Sequence, residues 1–101
     1  MEAAPDNWPR LVAEFRARPL GRHSADLQEL LNRFRAEPIH GKPFLYMLEP
    51  HRRWALAHFS PEPPLTYTVD FETRFDSIEA AEWAVFRRRW QQRFGFDPAE
   101  G

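Results

Sequence analysis

Hydrophobic residues in the first third of the chain recur at helical spacing. One patch predicts a short helix over residues 8–18, with Asn7 as a candidate N-cap. A second set recurs at i, i+3, i+4 and i+7 and predicts a helix over residues 25–36 that begins after Ser24. The two sets are Leu11, Val12 and Phe15, and Leu27, Leu30, Leu31 and Phe34. The chain is therefore expected to open with two helices.

The middle of the chain changes to strand patterns. An apolar run over residues 44–48 predicts a strand buried on both faces, and alternation over residues 54–59 predicts a second strand. After a proline-rich loop over residues 60–64, apolar residues alternate with polar ones at 67, 69 and 71. This alternation predicts a third strand whose polar side faces the solvent. The links between these runs are short, which favours an antiparallel meander.

The longest helical pattern lies near the carboxyl end. Aromatic residues at i, i+3, i+7 and i+11 form one stripe, which consists of Trp83, Phe86, Trp90 and Phe94. Asp76 and Glu79 predict a capping box at the start of this helix, and Gly95 predicts a left-handed cap at its end. The fold class is therefore α+β, in the order ααβββα, with two N-terminal helices, a three-stranded antiparallel meander and a long C-terminal amphipathic helix.

A chain of 101 residues has the length of one domain. We expect that domain to cover residues 8–97, with a disordered entry over 1–7 and a flexible end over 98–101. Hydrophobic residues make up 43% of the chain, which is enough for a core. No apolar run approaches the roughly 20 residues of a membrane span, and no export signal opens the chain. We therefore expect a cytoplasmic protein without a membrane partner.

Charge and residue types exclude several classes of function. Fourteen basic residues stand against fifteen acidic ones, a weak electrostatic footprint for nucleic acid, so we expect no nucleic-acid partner. The chain has no cysteine, and its four histidines do not stand at metal-ligand spacing on a helix. Two of its three serines, Ser24 and Ser77, sit at helix starts, where capping explains them. We therefore predict no catalytic residue, metal ligand or cofactor in this chain.

Arginine and aromatic residues are the remaining candidates for function. Both types are enriched in the cores of protein interfaces. The sheet aromatics either fill one core together with the last helix or form an exposed patch, and the pattern leaves both open; they are Tyr46, Trp54, Phe59, Tyr67 and Phe71. The link over residues 39–43 contains Gly41, which fits a positive φ or a close backbone approach. Three consecutive arginines, 87–89, spread over about 200° of a helix and cannot form one compact basic face.

An ordered series of short motifs points to a known family. The motifs are Leu27-Gln28, Asn32-Arg33-Phe34-Arg35 with Pro38, Gly41-Lys42, Tyr46, Trp54, Ala57, Arg74-Phe75, Glu79-Ala80, Ala84-Val85-Phe86 and Arg88-Arg89. In this order and spacing, the stretch from His23 to about Gln91 resembles the small (alpha) subunit of bacterial N,N-dimethylformamidase.

The resemblance implies a non-catalytic accessory subunit that binds and stabilises a large catalytic subunit of a linear amide hydrolase. In that family the large chain holds a mononuclear iron through tyrosine and glutamate. A hetero-oligomer is then expected, with partner-binding candidates Arg33, Arg35, Gly41, Lys42, Tyr46, Trp54, Trp83, Phe86, Arg88 and Arg89. The alternative from the residues alone is a stand-alone binding module for a small ligand or a peptide.

Overall fold

Helices and strands follow one another in the predicted order. The computed structural model describes residues 2–100. Its elements are α1 (Trp8–Ala17), α2 (Ala25–Ala36), β1 (Pro43–Glu49), β2 (Arg53–Phe59), β3 (Tyr67–Phe75) and α3 (Ile78–Phe94). The strands form one antiparallel sheet in the order β1-β2-β3, so the predicted α+β class and the meander are confirmed. No helix within residues 2–100 is long and apolar enough to cross a membrane.

The start of α2 is tied to α1 by a hydrogen-bonded serine. Ser24 is the N-cap, and its hydroxyl oxygen accepts the N–H of Leu27 at 3.3 Å. The Ser24 N–H and O–H in turn donate to the two carboxylate oxygens of Glu14 on α1, each at 2.6 Å. Asn7 also stands at an N-cap position, but its side chain donates to Asp26 and does not cap α1. The predicted cap is therefore confirmed for Ser24 and wrong for the side chain of Asn7.

Substitution of Glu14 by glutamine is expected to lower the free energy of unfolding by about 1–2 kcal/mol at pH 7. The hydrogen bonds from Ser24 lower the pKa of Glu14 from its usual 4.5. A lowered pKa gives stability that is present above the unfolded-state value and is lost as pH falls through the folded one. Urea unfolding at pH 7 and at about pH 3 measures this difference. Glu29→Gln, on the exposed face of α2, is the control and should change little. An equal loss at both pH values would contradict the expectation.

The aromatic stripe of α3 packs against α1 and α2. The rings of Phe15 on α1 and Phe86 on α3 are stacked with centroids 4.1 Å apart, and Trp90 is fully buried. The buried cluster takes residues from all three helices and none from the sheet; it consists of Leu11, Val12, Phe15, Leu27, Leu30, Leu31, Phe34, Phe86, Trp90 and Phe94. The helical half of the protein therefore has its own hydrophobic core.

The opposite side of α3 packs against the sheet. Ala81 and Val85 are buried there, about half a helical turn away from the stripe. Gln92 donates a side-chain hydrogen bond to the carbonyl oxygen of Gly41 at 3.0 Å, just before β1. On the sheet, Trp54 and Leu56 of β2 are buried. Helix α3 is thus the layer that joins the α1–α2 pair to the sheet.

The two ends of α3 differ in how well they follow the prediction. The predicted Asp76–Glu79 capping box is wrong, because the N-cap is Ser77, whose hydroxyl accepts the N–H of Ala80 at 3.1 Å. Asp76 instead pairs with Arg53 at 3.5 Å. The predicted C-cap is confirmed: Gly95 has φ 85°. Beyond it, Phe96 packs on Trp8 and Trp90, and Arg87 donates to Asp97.

The predicted burial of β1 on both faces is wrong, and the open question about the sheet aromatics is answered. Of the β1 residues only Pro43 is fully buried, and Met47 is 49% exposed, because β1 is an edge strand. The sequence left open whether the sheet aromatics fill the core or form an exposed patch, and Tyr67 and Phe71 are the more exposed aromatic residues of β3. Tyr67 and Phe71 are exposed because α3 covers one face of the sheet and no described element covers the other.

Candidate functional site

The sheet presents an aromatic surface on the side away from α3. Leu56 lines a shared hollow with Ala84 and Arg88 of α3, so the alternating residues Ala55 and Ala57 face outward. Residues paired across antiparallel strands share a face. We call the surface that results the outer face; its aromatic residues are Phe44, Tyr46, Phe59, Tyr67 and Phe71, which lie around Ala55 and Ala57.

Ring contacts hold the outer face in one arrangement. Phe44 stacks on Phe59 with centroids 4.3 Å apart and meets Tyr67 edge-on at 5.7 Å. Tyr46 lies 6.0 Å from Tyr67 and 6.5 Å from Phe71. Despite these contacts, Tyr67 and Phe71 are 54% and 59% exposed. An exposed, contiguous aromatic patch of this kind is a candidate interaction site.

A second feature is a cleft between the α1–α2 loop, α2 and α3. We call it the α2–α3 cleft; its volume is about 250 Å³. Charged side chains of Arg35, Glu82 and Arg89 line it, and His23 and Gln28 add polar wall. Its floor is the edge of the helical core, formed by Phe15, Leu31, Phe34 and Phe86, together with Val85 of α3. The cleft therefore combines an apolar floor with a charged rim.

Burial shifts the pKa values of the charged groups in and beside the cleft. Burial raises the pKa of Glu82 and lowers that of Arg89. Lys42 lies beside them and donates to the carbonyl oxygens of Arg35 at 2.9 Å and Glu37 at 3.5 Å, which caps the last turn of α2. Burial and the neighbouring Arg89 lower the pKa of Lys42. Arg35, Lys42 and Arg89 thus gather at the carboxyl end of α2.

The structure brings together part of the predicted partner-binding set. Arg35 and Arg89 line the cleft, with Lys42 and Gly41 nearby. The predicted positive φ at Gly41 is confirmed at +76°, while an added Cβ would meet nothing within 4 Å. Gly41 is therefore required for its backbone conformation rather than for a close approach.

The remaining candidates are dispersed. Tyr46 lies on the outer face, and Arg33 is exposed on α2 and paired with Glu29. Trp54 and Phe86 are 8% and 2% exposed, so they belong to the interior. Trp83 is half-buried beneath the guanidinium of Arg16, and Arg88 is exposed on α3. These residues do not form one surface, and their role in partner binding stays a prediction.

The predicted partner-binding set left out other residues of these two features, although Tyr67 and Phe71 had been named as part of a possible exposed patch. Phe44 shares a face with Tyr46 because they stand two residues apart in a strand, and this spacing is a usable signal. Tyr67 and Phe71 are likewise four apart on β3. The sequence carries no comparable signal for Glu82. Only tertiary packing decides which acidic residue of α3 lies in the cleft.

The two features are suited to binding. Within residues 2–100, no group of three or more His, Cys, Asp or Glu side chains could hold a metal ion. The outer face and the α2–α3 cleft present aromatic side chains, cations and one half-buried carboxylate. Such an arrangement can recognise apolar, aromatic and anionic groups.

Comparison with known proteins identifies the family. A comparison with curated proteins finds no match. The family model for the N,N-dimethylformamidase alpha subunit matches residues 4–97, which include all three helices and the whole sheet. The match covers nearly all of the 101 residues and agrees with the resemblance in the motifs. This chain therefore belongs to the N,N-dimethylformamidase alpha subunit family.

Proposed function

We propose that this chain is a non-catalytic accessory subunit that binds and stabilises the larger, catalytic subunit of a dimethylformamidase-like amide hydrolase. The observation that carries the proposal is the uncovered outer face in a chain whose family is an enzyme subunit. In this proposal the catalytic groups and the iron belong to the large subunit. The small chain contributes a binding surface and no catalytic residue.

The outer face has the physical properties of an interface core. Burying a large apolar side chain such as phenylalanine contributes roughly 1.5–3 kcal/mol, and Tyr67 and Phe71 still have more than half of their surface to bury. Tyr46 already contacts both of these rings, so little conformational entropy remains to be lost on binding. Pre-ordered aromatic groups of this kind are typical hot spots.

Co-expression with the large-subunit gene of the same genome tests the proposal. We expect both chains to elute together in a fixed ratio in size-exclusion chromatography with light scattering. We also expect the large chain to unfold at a lower temperature when it is produced alone. Separate elution of the two chains, with a large subunit equally active and equally stable by itself, would rule the proposal out.

A stand-alone module for a small ligand or peptide is the second candidate function. The α2–α3 cleft is the observation that favours it, because the cleft is concave and has an apolar floor and polar walls. The two candidates differ in one measurable respect: a stand-alone module would remain monomeric in the presence of the large subunit.

A further inference from the structure

Arg89 is a half-buried guanidinium that has no carboxylate of residues 2–100 within ion-pair distance. Among residues 2–100 its one hydrogen bond runs from Nη2 to the carbonyl oxygen of Pro43, at a long 3.5 Å. Its Nε is buried and has no hydrogen-bond partner, and none of the ion pairs in this part of the chain includes it. Buried arginines are normally paired, because an unsatisfied charged donor costs free energy.

The surroundings of Arg89 carry an excess of positive charge. Arg35 lines the same cleft and is exposed, and its one side-chain hydrogen bond within residues 2–100 goes to Asn32 at 3.5 Å. The nearby carboxylate of Glu37 is already bound by Arg93 at 3.2 Å. Glu82 is the one acid among the residues that line the cleft, within the described part of the chain. Two lining arginines therefore face a single acid.

Glu82 leaves room for a further anion. It precedes Arg89 by seven residues on α3, which places its backbone about 10 Å away along the helix axis. Glu82 and Arg89 form no ion pair in the structure, in contrast to Arg33 and Glu29 at 2.9 Å. Glu82 therefore lowers the net positive charge of the cleft without closing an ion pair with Arg89.

We propose that the α2–α3 cleft binds a carboxylate group through Arg89 and Arg35. Arginine presents a planar set of donors that matches a carboxylate, and such charge-assisted bonds are stronger than neutral ones. The volume of about 250 Å³ and the apolar floor accommodate a small acid with an apolar body. The carboxylate belongs either to such a free acid or to an acidic side chain of the partner subunit. The site is distinct from the outer face and does not rest on the proposed function.

An NMR titration of the isolated, ¹⁵N-labelled full chain tests the site. Phenylacetate is the probe, and 2-phenylethanol, which has the same apolar body without the charge, is the matched control. We expect the Arg89 Nε–Hε resonance to shift saturably with phenylacetate in the millimolar range. Neither 2-phenylethanol nor sodium chloride at equal ionic strength should reproduce the shift.

Variants connect the shift to Arg89. For Arg89→Gln we expect phenylacetate binding, followed by backbone resonances of the cleft, to weaken at least tenfold. Arg89→Lys keeps the charge but loses the Nε and the planar donor set, and should weaken binding several-fold. Arg33→Gln, an exposed arginine of α2 outside the cleft, should bind like the unaltered chain. The titration of the unaltered chain decides the matter by itself if a variant fails to fold.

A second arm identifies the source of the carboxylate. If phenylacetate weakens the complex with the large subunit more than equal sodium chloride does, the partner supplies the carboxylate. If the complex is unaffected while phenylacetate binds, a free acid is the ligand. No saturable shift in the isolated chain, or an equal shift with 2-phenylethanol, overturns the proposal. The NMR titration of the isolated chain needs no partner. Its result therefore does not depend on whether the accessory-subunit function is correct.

Discussion

Substitution of Tyr67 and Phe71 together by serine is expected to weaken binding to the large subunit at least 100-fold. A 100-fold loss corresponds to about 2.7 kcal/mol, less than the burial of two large aromatic side chains can contribute. Both side chains are more than half exposed, so the isolated fold should lose little stability. Biolayer interferometry with immobilised large subunit measures the affinity, and thermal unfolding measures the stability of the isolated variant.

A matched control separates the outer face from exposed apolar surface in general. Ile39 and Met47 are 43% and 49% exposed and lie outside the outer face, so Ile39→Ser/Met47→Ser should change the affinity less than fivefold. Unchanged affinity in the Tyr67/Phe71 variant would remove the outer face from the interface. An equal loss in both variants would mean that the position of the aromatic residues does not matter.

Substitution of Trp90 by alanine is expected to lower the free energy of unfolding by about 3–5 kcal/mol. Trp90 is fully buried and its ring contacts those of Trp8, Phe86, Phe94 and Phe96. The loss is a large part of the 5–15 kcal/mol that holds a typical domain together. Equilibrium unfolding in urea, followed by circular dichroism, gives the value.

Two further variants show whether volume or the indole nitrogen matters at this position. Trp90 Nε1 has no hydrogen-bond partner among residues 2–100, so Trp90→Phe removes an unsatisfied donor as well as some volume. We expect Trp90→Phe to cost clearly less than Trp90→Ala. Trp83→Ala, at a half-buried position of the same stripe, should cost about 1–2 kcal/mol. A loss below about 1 kcal/mol for Trp90→Ala would show that α3 is not the centre of the helical core.

Local signals in the sequence were sufficient to predict the helices and strands of this fold. The spacing of Leu27, Leu30, Leu31 and Phe34 depends on helix geometry alone, and Ala25–Ala36 is the helix that it predicted. Ser24 and Gly95 act within their own turns, so their capping roles could also be predicted. The start of α3 was harder, since Asp76 and Ser77 are both good N-caps. The choice follows from β3, which continues to Phe75 and leaves Asp76 to pair with Arg53.

The periodicity of the sequence does not show which element covers each face of a helix or a strand. The stripe of Trp83, Phe86, Trp90 and Phe94 indicates an apolar helix face but does not name its partner, and α1 and α2 cover it instead of the sheet. Alternation along β3 likewise separates two faces without showing which one is buried. For this reason the aromatic residues of the outer face were expected inside, or left undecided, until the position of α3 was known.

The sequence by itself determined the α+β class, the order of the elements and the family, because these depend on local spacing and on motifs kept in order. The tertiary structure alone decided that Tyr67 and Phe71 are exposed, and that Arg35 and Arg89 line one cleft. Exposure and convergence depend on how α3 lies between two layers. That arrangement arises from contacts between residues far apart in the chain, which no local pattern specifies.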